Sequence, residues 1–262
     1  MSKLIQRIER LGKDTPAPLG FGAATRRKAA PTMVLLASTT APSAASKLEG
    51  ISLDGVLYVS SEAKGADLAE ASSNLKDVPW GTQVVNPTAD QVKELVDAGC
   101  DFITLAGTTG SLAALQNEDL GKFLVVTADI KEEHAHSLEV LPINAVIFAD
   151  VVSAPLNLDS LVALAAVRGE IGCPFLIRMN GTLSAWELEC LREIGVEGVI
   201  VDLESTDAEA LTALGQAILD LPRRHSRSGM STPSLPHVAA RTQTVEADDD
   251  DDDDDGEGDD DS

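Results

Sequence analysis

An α/β fold of the (β/α)8, TIM-type barrel class is what this sequence predicts, and three features carry the prediction. Eight short apolar runs recur between residues 33 and 203. They are rich in valine and isoleucine with little strict alternation, as strands buried on both faces require. Most are followed by a polar turn and a stretch of helical periodicity, and a length of 262 residues suits one barrel of about 250.

Taken in order, residues 2–11 carry Leu4, Ile5, Ile8 and Leu11 on one apolar stripe, which predicts an extra helix closing the bottom of the barrel. Gly12 ends it. Residues 13–31 hold Pro16, Pro18 and Pro31 and read as a connection, with Phe21 available to plug the lower opening. The first run, 33–37 (MVLLA), is followed by 40–50, which is short for a full helix. Run 54–59 (DGVLYV) leads to a helix over 62–75. Run 82–85 (TQVV) ends at Asn86-Pro87, and the Thr88 hydroxyl caps a helix over 89–98 that Gly99 stops. Run 101–105 (DFITL) passes through the loop 107–111 into a helix near 111–119.

Run 123–128 (FLVVTA) precedes a helix at 131–140, and run 144–149 (NAVIFA) precedes one at 158–170 capped by Asn157 or Asp159. Run 174–179 (PFLIRM) leads to Ser184, an N-cap with Glu187 in the reciprocal capping-box position, and a helix at 185–194 ending at Gly195. Run 198–203 (GVIVDL) feeds Ser205-Thr206-Asp207 and a last helix at 208–221. The chain thus divides into 1–31 (helix and connection), 32–222 (barrel body) and 223–262 (linker and poly-Asp tail). The structural rival is a doubly wound open sheet. No G-x-G-x-x-G follows the first run, and Gly20-x-Gly22 precedes it, which argues against the dinucleotide-binding version.

The formal charge of −23 is concentrated at one end. Residues 246–262 contribute 13 acidic side chains and no basic one, which leaves about −10 for the rest. Eight consecutive aspartates at 248–255 repel one another and predict a disordered tail. So acidic a body has no global attraction for nucleic acid or anionic lipid. No run approaches the roughly 20 apolar residues of a membrane span, and the N-terminus lacks a secretory apolar core, so the expected location is cytoplasmic. Cys100, Cys173 and Cys190 are too scattered for a disulfide framework and read as small buried hydrophobes.

In a barrel, the strand ends and the loops after them form the rim where active sites are built. The carboxylates delivered there are Asp129, Asp150, Asp202 and Glu204, and polar groups include Glu62, Asn86 and Thr104. Arg178 interrupts the apolar run PFLIRM, where a charge is costly unless paired. One reading has its guanidinium holding a substrate carboxylate or phosphate. The other has it in an internal ion pair with Asp202 or Asp150. Asp202 and Glu204 share the parity of Ile200 and face the lumen, while Leu203 faces the helices. That pair could hold Mg²⁺ or handle a proton in an enolisation.

For phosphate, the candidates are the loop Gly107, Thr108, Gly110 and Ser111, and the turn Asn180-Gly181 after the seventh run. No nucleotide-binding Gly-Lys-Ser ending is present. His134 and His136, two apart, do not share a helix face, which argues against zinc there. No lysine falls within a predicted strand, which argues against Schiff-base chemistry in the lumen.

The eighth segment, GVEGVIVDLES, resembles the strand-and-carboxylate turn of metal-dependent barrel aldolases and lyases of the pyruvate/enolpyruvate type, over about a dozen residues. The resemblance implies a metal role for Asp202 or Glu204 and an enolate role for Arg178.

The expected function is a lyase or isomerase acting on a small anionic metabolite, with Arg178, Asp202, Glu204 and Asp150 as catalytic candidates and either no cofactor or Mg²⁺. The alternative is a non-catalytic barrel that serves as a binding or assembly subunit. Neither nucleic acid nor membrane is an expected partner, and a homo-oligomer stays open.

Overall fold

The computed structural model describes residues 1–13, 31–48, 50–59, 65–73, 78–108 and 111–222. Eight parallel strands close into a barrel in sequence order: β1 (Val34–Thr39), β2 (Gly55–Tyr58), β3 (Trp80–Val84), β4 (Phe102–Leu105), β5 (Gly121–Val126), β6 (Ala145–Ser153), β7 (Phe175–Asn180) and β8 (Gly198–Asp202). The ring closes through β1 and β8, where Val34 pairs with Gly198 and Ser38 with Asp202. The helices are α1 (Lys3–Glu9), α2 (Gly65–Ser72), α3 (Ala89–Asp97), α4 (Glu132–Leu138), α5 (Leu158–Glu170), α6 (Ala185–Ile194) and α7 (Ala208–Asp220).

Period-two alternation sorts each strand into two apolar layers. Leu35, Val56, Ile103, Val146, Ile177 and Val199 face outward into the core shared with the helices. Val34, Leu36, Leu57, Phe102, Phe123, Ile147, Leu176 and Ile200 fill the lumen. Phe102 and Phe123 stand with ring centroids 5.1 Å apart and supply much of that filling. Gly81 faces the Phe102 ring, and a Cβ there would overlap the Phe102 carbonyl and ring.

The lower end is closed as the apolar stripe of residues 2–11 implies. Leu4, Ile5 and Ile8 of α1 belong to the lumen cluster. Asp101, just before β4, accepts from the Ser2 hydroxyl at 2.7 Å and from the amides of Lys3 and Leu4 at 2.7 and 3.0 Å. Its carboxylate satisfies the free N–H groups at the helix start, a favourable place for negative charge. Arg7 secures the other side through the carbonyls of Leu53 and Asp54.

The cap residues read from the sequence perform that role. Thr88 and Gln91 form a capping box on α3, Ser184 and Glu187 form one on α6, and Asn157 caps α5. Gly195 ends α6 in the left-handed conformation, φ 97°. One unit departs from expectation, while the first, read as too short for a full helix, matches it. The helix expected near 111–119 is a 3₁₀ segment, Leu112–Leu115, and the first unit carries another, Pro42–Leu48. Leu-Ala-Ala-Leu is followed by Gln116-Asn117-Glu118-Asp119, whose Asn117 side chain takes the Asp119 amide into a local turn.

The strand limits move in two places with consequences. β5 begins at Gly121, so Lys122 lies in a strand, contrary to the expectation of none. Lys122 is buried on the outward parity beside Leu124, and burial pushes its ammonium below the usual lysine value. It does not face the lumen. β6 runs to Ser153 with a register shift between Ile147 and Val151. Phe21, Glu62 and the expected tail at 223–262 lie outside the described residues. Among the described residues, no helix is long and apolar enough to cross a membrane.

Candidate functional site at the barrel mouth

Over the carboxyl ends of β1, β7 and β8 lies a cavity of about 310 Å³. Its floor includes Val59 and Ile200, and its polar wall is Ser38, Thr39, Thr40, Arg178, Asn180, Asp202, Glu204 and Ser205. The lumen parity of Leu176 carries on to Arg178 and Asn180, just as that of Ile200 carries on to Asp202 and Glu204. Leu203, between the two carboxylates, is buried in the outer core.

Arg178 is half-buried, and desolvation lowers its pKa from the ordinary guanidinium value while leaving it charged. The expected ion pair is not formed. Among the described residues, no carboxylate lies within 4.0 Å of it; its hydrogen-bond partner is Gln83 on β3, with Nη2 donating to Oε1 at 3.4 Å. A neutral and distant acceptor leaves most of the five guanidinium donors free to meet an anion.

The carboxylates opposite are held by the loop that carries them. Asp202 Oδ1 accepts from the Glu204 amide at 3.2 Å, and Glu204 Oε1 accepts from the Thr40 hydroxyl. Asp202 is partly buried and Glu204 exposed. One wall of the mouth is therefore cationic and the adjoining one anionic, with hydroxyls between them.

Asp150 is not brought to the cavity. The two-residue excess of β6 over β7 puts it in the bulge, exposed, while Val151 takes the lining position. Asp129 is also exposed, and the Thr127 hydroxyl lowers its pKa. Of the glycine turns, Asn180 lines the cavity and Gly181 follows at φ 89° beside Ala154. Gly107 adopts φ 86°, but neither it nor Thr108 or Ser111 lines the cavity. The Ser111 hydroxyl is occupied by the Ala113 amide at the start of the 3₁₀ segment. Gly110 lies outside the described residues.

Two contributors escaped the sequence reading. Ser38-Thr39-Thr40 extends the first run, and its hydroxyl content at a strand end was the available signal. Gln83 is a polar residue inside an apolar run, the same signal that singled out Arg178. Thr104, which the sequence placed among the rim groups, is instead fully buried on the lumen parity, and its hydroxyl has no hydrogen-bond partner.

Among the described residues, the group that could coordinate an ion lies elsewhere. Glu132, His136 and Glu170 each offer a ligand atom, all within 4.8 Å of one another, on the outer surface where α4 meets the end of α5. The two-residue spacing of His134 and His136 gives no sign of it, because the pairing is Glu132 with His136, four apart on one face. Asp202 and Glu204 have no third His, Cys, Asp or Glu at such range among the described residues. The three cysteines are free, and burial raises the Cys100 thiol to about 12, which makes it unreactive.

No family model matches the chain, and no curated protein matches it. Solved structures do. A mutant tryptophan synthase alpha-subunit from the hyperthermophile Pyrococcus furiosus aligns with TM-score 0.56 at 9% identity, over 73% of this chain and 98% of that one. KGPDC from Streptococcus mutans aligns with TM-score 0.55 at 15% identity, over 72% and 98%. Thiamine phosphate pyrophosphorylase from Pyrococcus furiosus gives 0.51 at 14%, over 72% and 96%. At these identities, the likeness is one of fold.

Proposed function

We propose that the barrel mouth binds a small anionic metabolite, with Arg178 as the group that holds its carboxylate or phosphate, and that the protein is a lyase or isomerase working through an enolate. The observation that carries this reading is a half-buried guanidinium in a cavity wall with a neutral side chain as its hydrogen-bond partner. A charge kept from water without an ion pair is costly, and an arriving anion supplies the missing partner. Asn180 beside it offers amide donors for the same anion. The loop of Gly107, Thr108 and Ser111 has no part in it.

In this reading, a C–H bond next to a substrate carbonyl breaks, and its proton passes to the Asp202 or Glu204 carboxylate. The electron pair moves onto the carbonyl oxygen, where the positive charge of Arg178 stabilises it. An isomerase returns the proton to the neighbouring carbon. A lyase expels a leaving group from the β carbon. If Mg²⁺ is used, Asp202 and Glu204 would hold it, and it would supply further positive charge to stabilise the enolate. Asp150, in the exposed bulge, is left without a role. The three free cysteines fit the reducing cytoplasm as the place of action.

A second reading, a binding barrel without turnover, is favoured by the hydrogen bonds that already occupy Asp202 and Glu204. One experiment separates them. The full chain is screened by thermal shift against phosphorylated and carboxylated metabolites of three to six carbons, with and without Mg²⁺. A ligand at about 100 times its Kd raises Tm by roughly 5–10 °C. Any hit is then incubated in D₂O, and loss of its α-proton signal by NMR identifies the enzyme. A hit without exchange identifies the binder. No hit from the whole panel, or a hit that R178M retains, overturns the anion site itself.

A further inference from the structure

We infer that α4 and the end of α5 form a zinc site on the outer wall of the barrel, with Glu132, His136 and Glu170 as protein ligands and water completing the sphere. One ligand atom from each of the three lies within 4.8 Å of the others. Tetrahedral zinc with bonds of about 2.0–2.2 Å holds its ligands roughly 3.4 Å apart, so small rotamer changes in surface side chains close the shell. An imidazole beside two carboxylates suits zinc better than Mg²⁺, which prefers an all-oxygen octahedron.

The imidazole is already set for the task. His136 Nδ1 lies 3.0 Å from the Glu132 carbonyl oxygen, which can only accept, so Nδ1 carries the proton and Nε2 keeps its lone pair. A backbone carbonyl that fixes the tautomer of a histidine is the usual outer-shell support of a metal ligand. The surroundings supply the charge. Glu132, Glu139 and Glu170 all act electrostatically on His136, and none of the three is within ion-pair distance of a cation among the described residues. Glu139 reaches this place because residue 172 is glycine, where a Cβ would overlap its carboxylate oxygen. Three carboxylates therefore act on one imidazole, and among the described residues none of the three is ion-paired to a cation.

The consequence of filling the site would be local. α4 has seven residues, and its N-cap, Lys131, makes no side-chain hydrogen bond to it. An ion bridging Glu132 and His136 to Glu170 fastens that weakly capped helix to the thirteen-residue α5. It also steadies the loop after β5 that leads back to the rim.

The test uses the full chain, stripped with a chelator and titrated with Zn²⁺ and with Co²⁺ as a coloured substitute. The eight consecutive aspartates at 248–255 provide an internal comparison, since carboxylates alone bind weakly and lack imidazole nitrogen. We expect one saturable equivalent of Zn²⁺ and a Co²⁺ visible band, both weakened at least tenfold in H136Q and in E170Q, with the weak phase unchanged. Circular dichroism of these surface variants checks that they fold, and R178M serves as a control that leaves Zn²⁺ binding as it is. A weak phase alone in the wild type overturns the site, as does tight binding that survives H136Q and E170Q.

Discussion

Arg178 and Gln83 meet across the mouth of the barrel, from β7 to β3, through one hydrogen bond of 3.4 Å. The pairing is unequal, since one partner is charged and the other neutral. It orients the guanidinium without cancelling its charge, and this sets what a substitution there does.

Replacing Arg178 with methionine keeps the apolar stem and removes the charge. Breaking a buried ion pair costs about 3–5 kcal/mol, whereas a hydrogen bond this long to a neutral acceptor contributes less than about 1 kcal/mol. Urea unfolding of R178M is expected to stay within about 1 kcal/mol of the wild type, while anion binding falls by more than about tenfold. A loss near about 4 kcal/mol would reveal a carboxylate partner after all.

Thr104 gives the opposite sign. Its hydroxyl is fully buried and has no hydrogen-bond partner, so it bears a desolvation cost with no return. Thr104→Val removes that hydroxyl at nearly constant shape and is expected to stabilise the protein by about 1 kcal/mol. A destabilised variant in denaturant titration would mean that the hydroxyl has a partner, such as a buried water.

Glu187 predicts a pH dependence. The Ser184 hydroxyl, the Ser184 amide and the Leu156 amide, in falling order of effect, hold its carboxyl below the ordinary 4.5. The unfolded chain therefore binds more protons in the window just under that value, so stability rises with pH there. The contribution is complete above 4.5 and is lost as pH falls through the folded value. Glu187→Gln should flatten the slope of the urea midpoint between about pH 5 and about pH 3. An unaltered slope in the variant counts against the cap.

Gly81 is a packing constraint. A Cβ at this position would sit 2.5 Å from the Phe102 ring and also overlap the Phe102 carbonyl. Gly81→Ala is expected to cost about 2–3 kcal/mol through overpacking of the lumen. A stability change under about 0.5 kcal/mol would show that Phe102 can turn away.

The barrel was legible because its signals are local and repeated. Val199, Ile200 and Val201 announce a strand buried on both faces, and Thr88 and Ser184 announce helix starts through their own hydroxyls. The mouth was half legible. Parity places Asp202 and Glu204 on the cavity wall, but the register shift that carries Asp150 away leaves no mark in the one-dimensional pattern. Gln83 and Arg178 are 95 residues apart, and their meeting depends on ring closure, not on either run. Glu132 and His136 were readable as neighbours one turn apart. Glu170 joins them only because α5 packs next to α4.

The seal made by Leu4, Ile5 and Ile8 closes the lower end of the ring among the described residues. With the lower end stoppered, the anion proposed for Arg178 would have to enter and leave over the same rim, so a slowly released product would slow the binding of the next substrate.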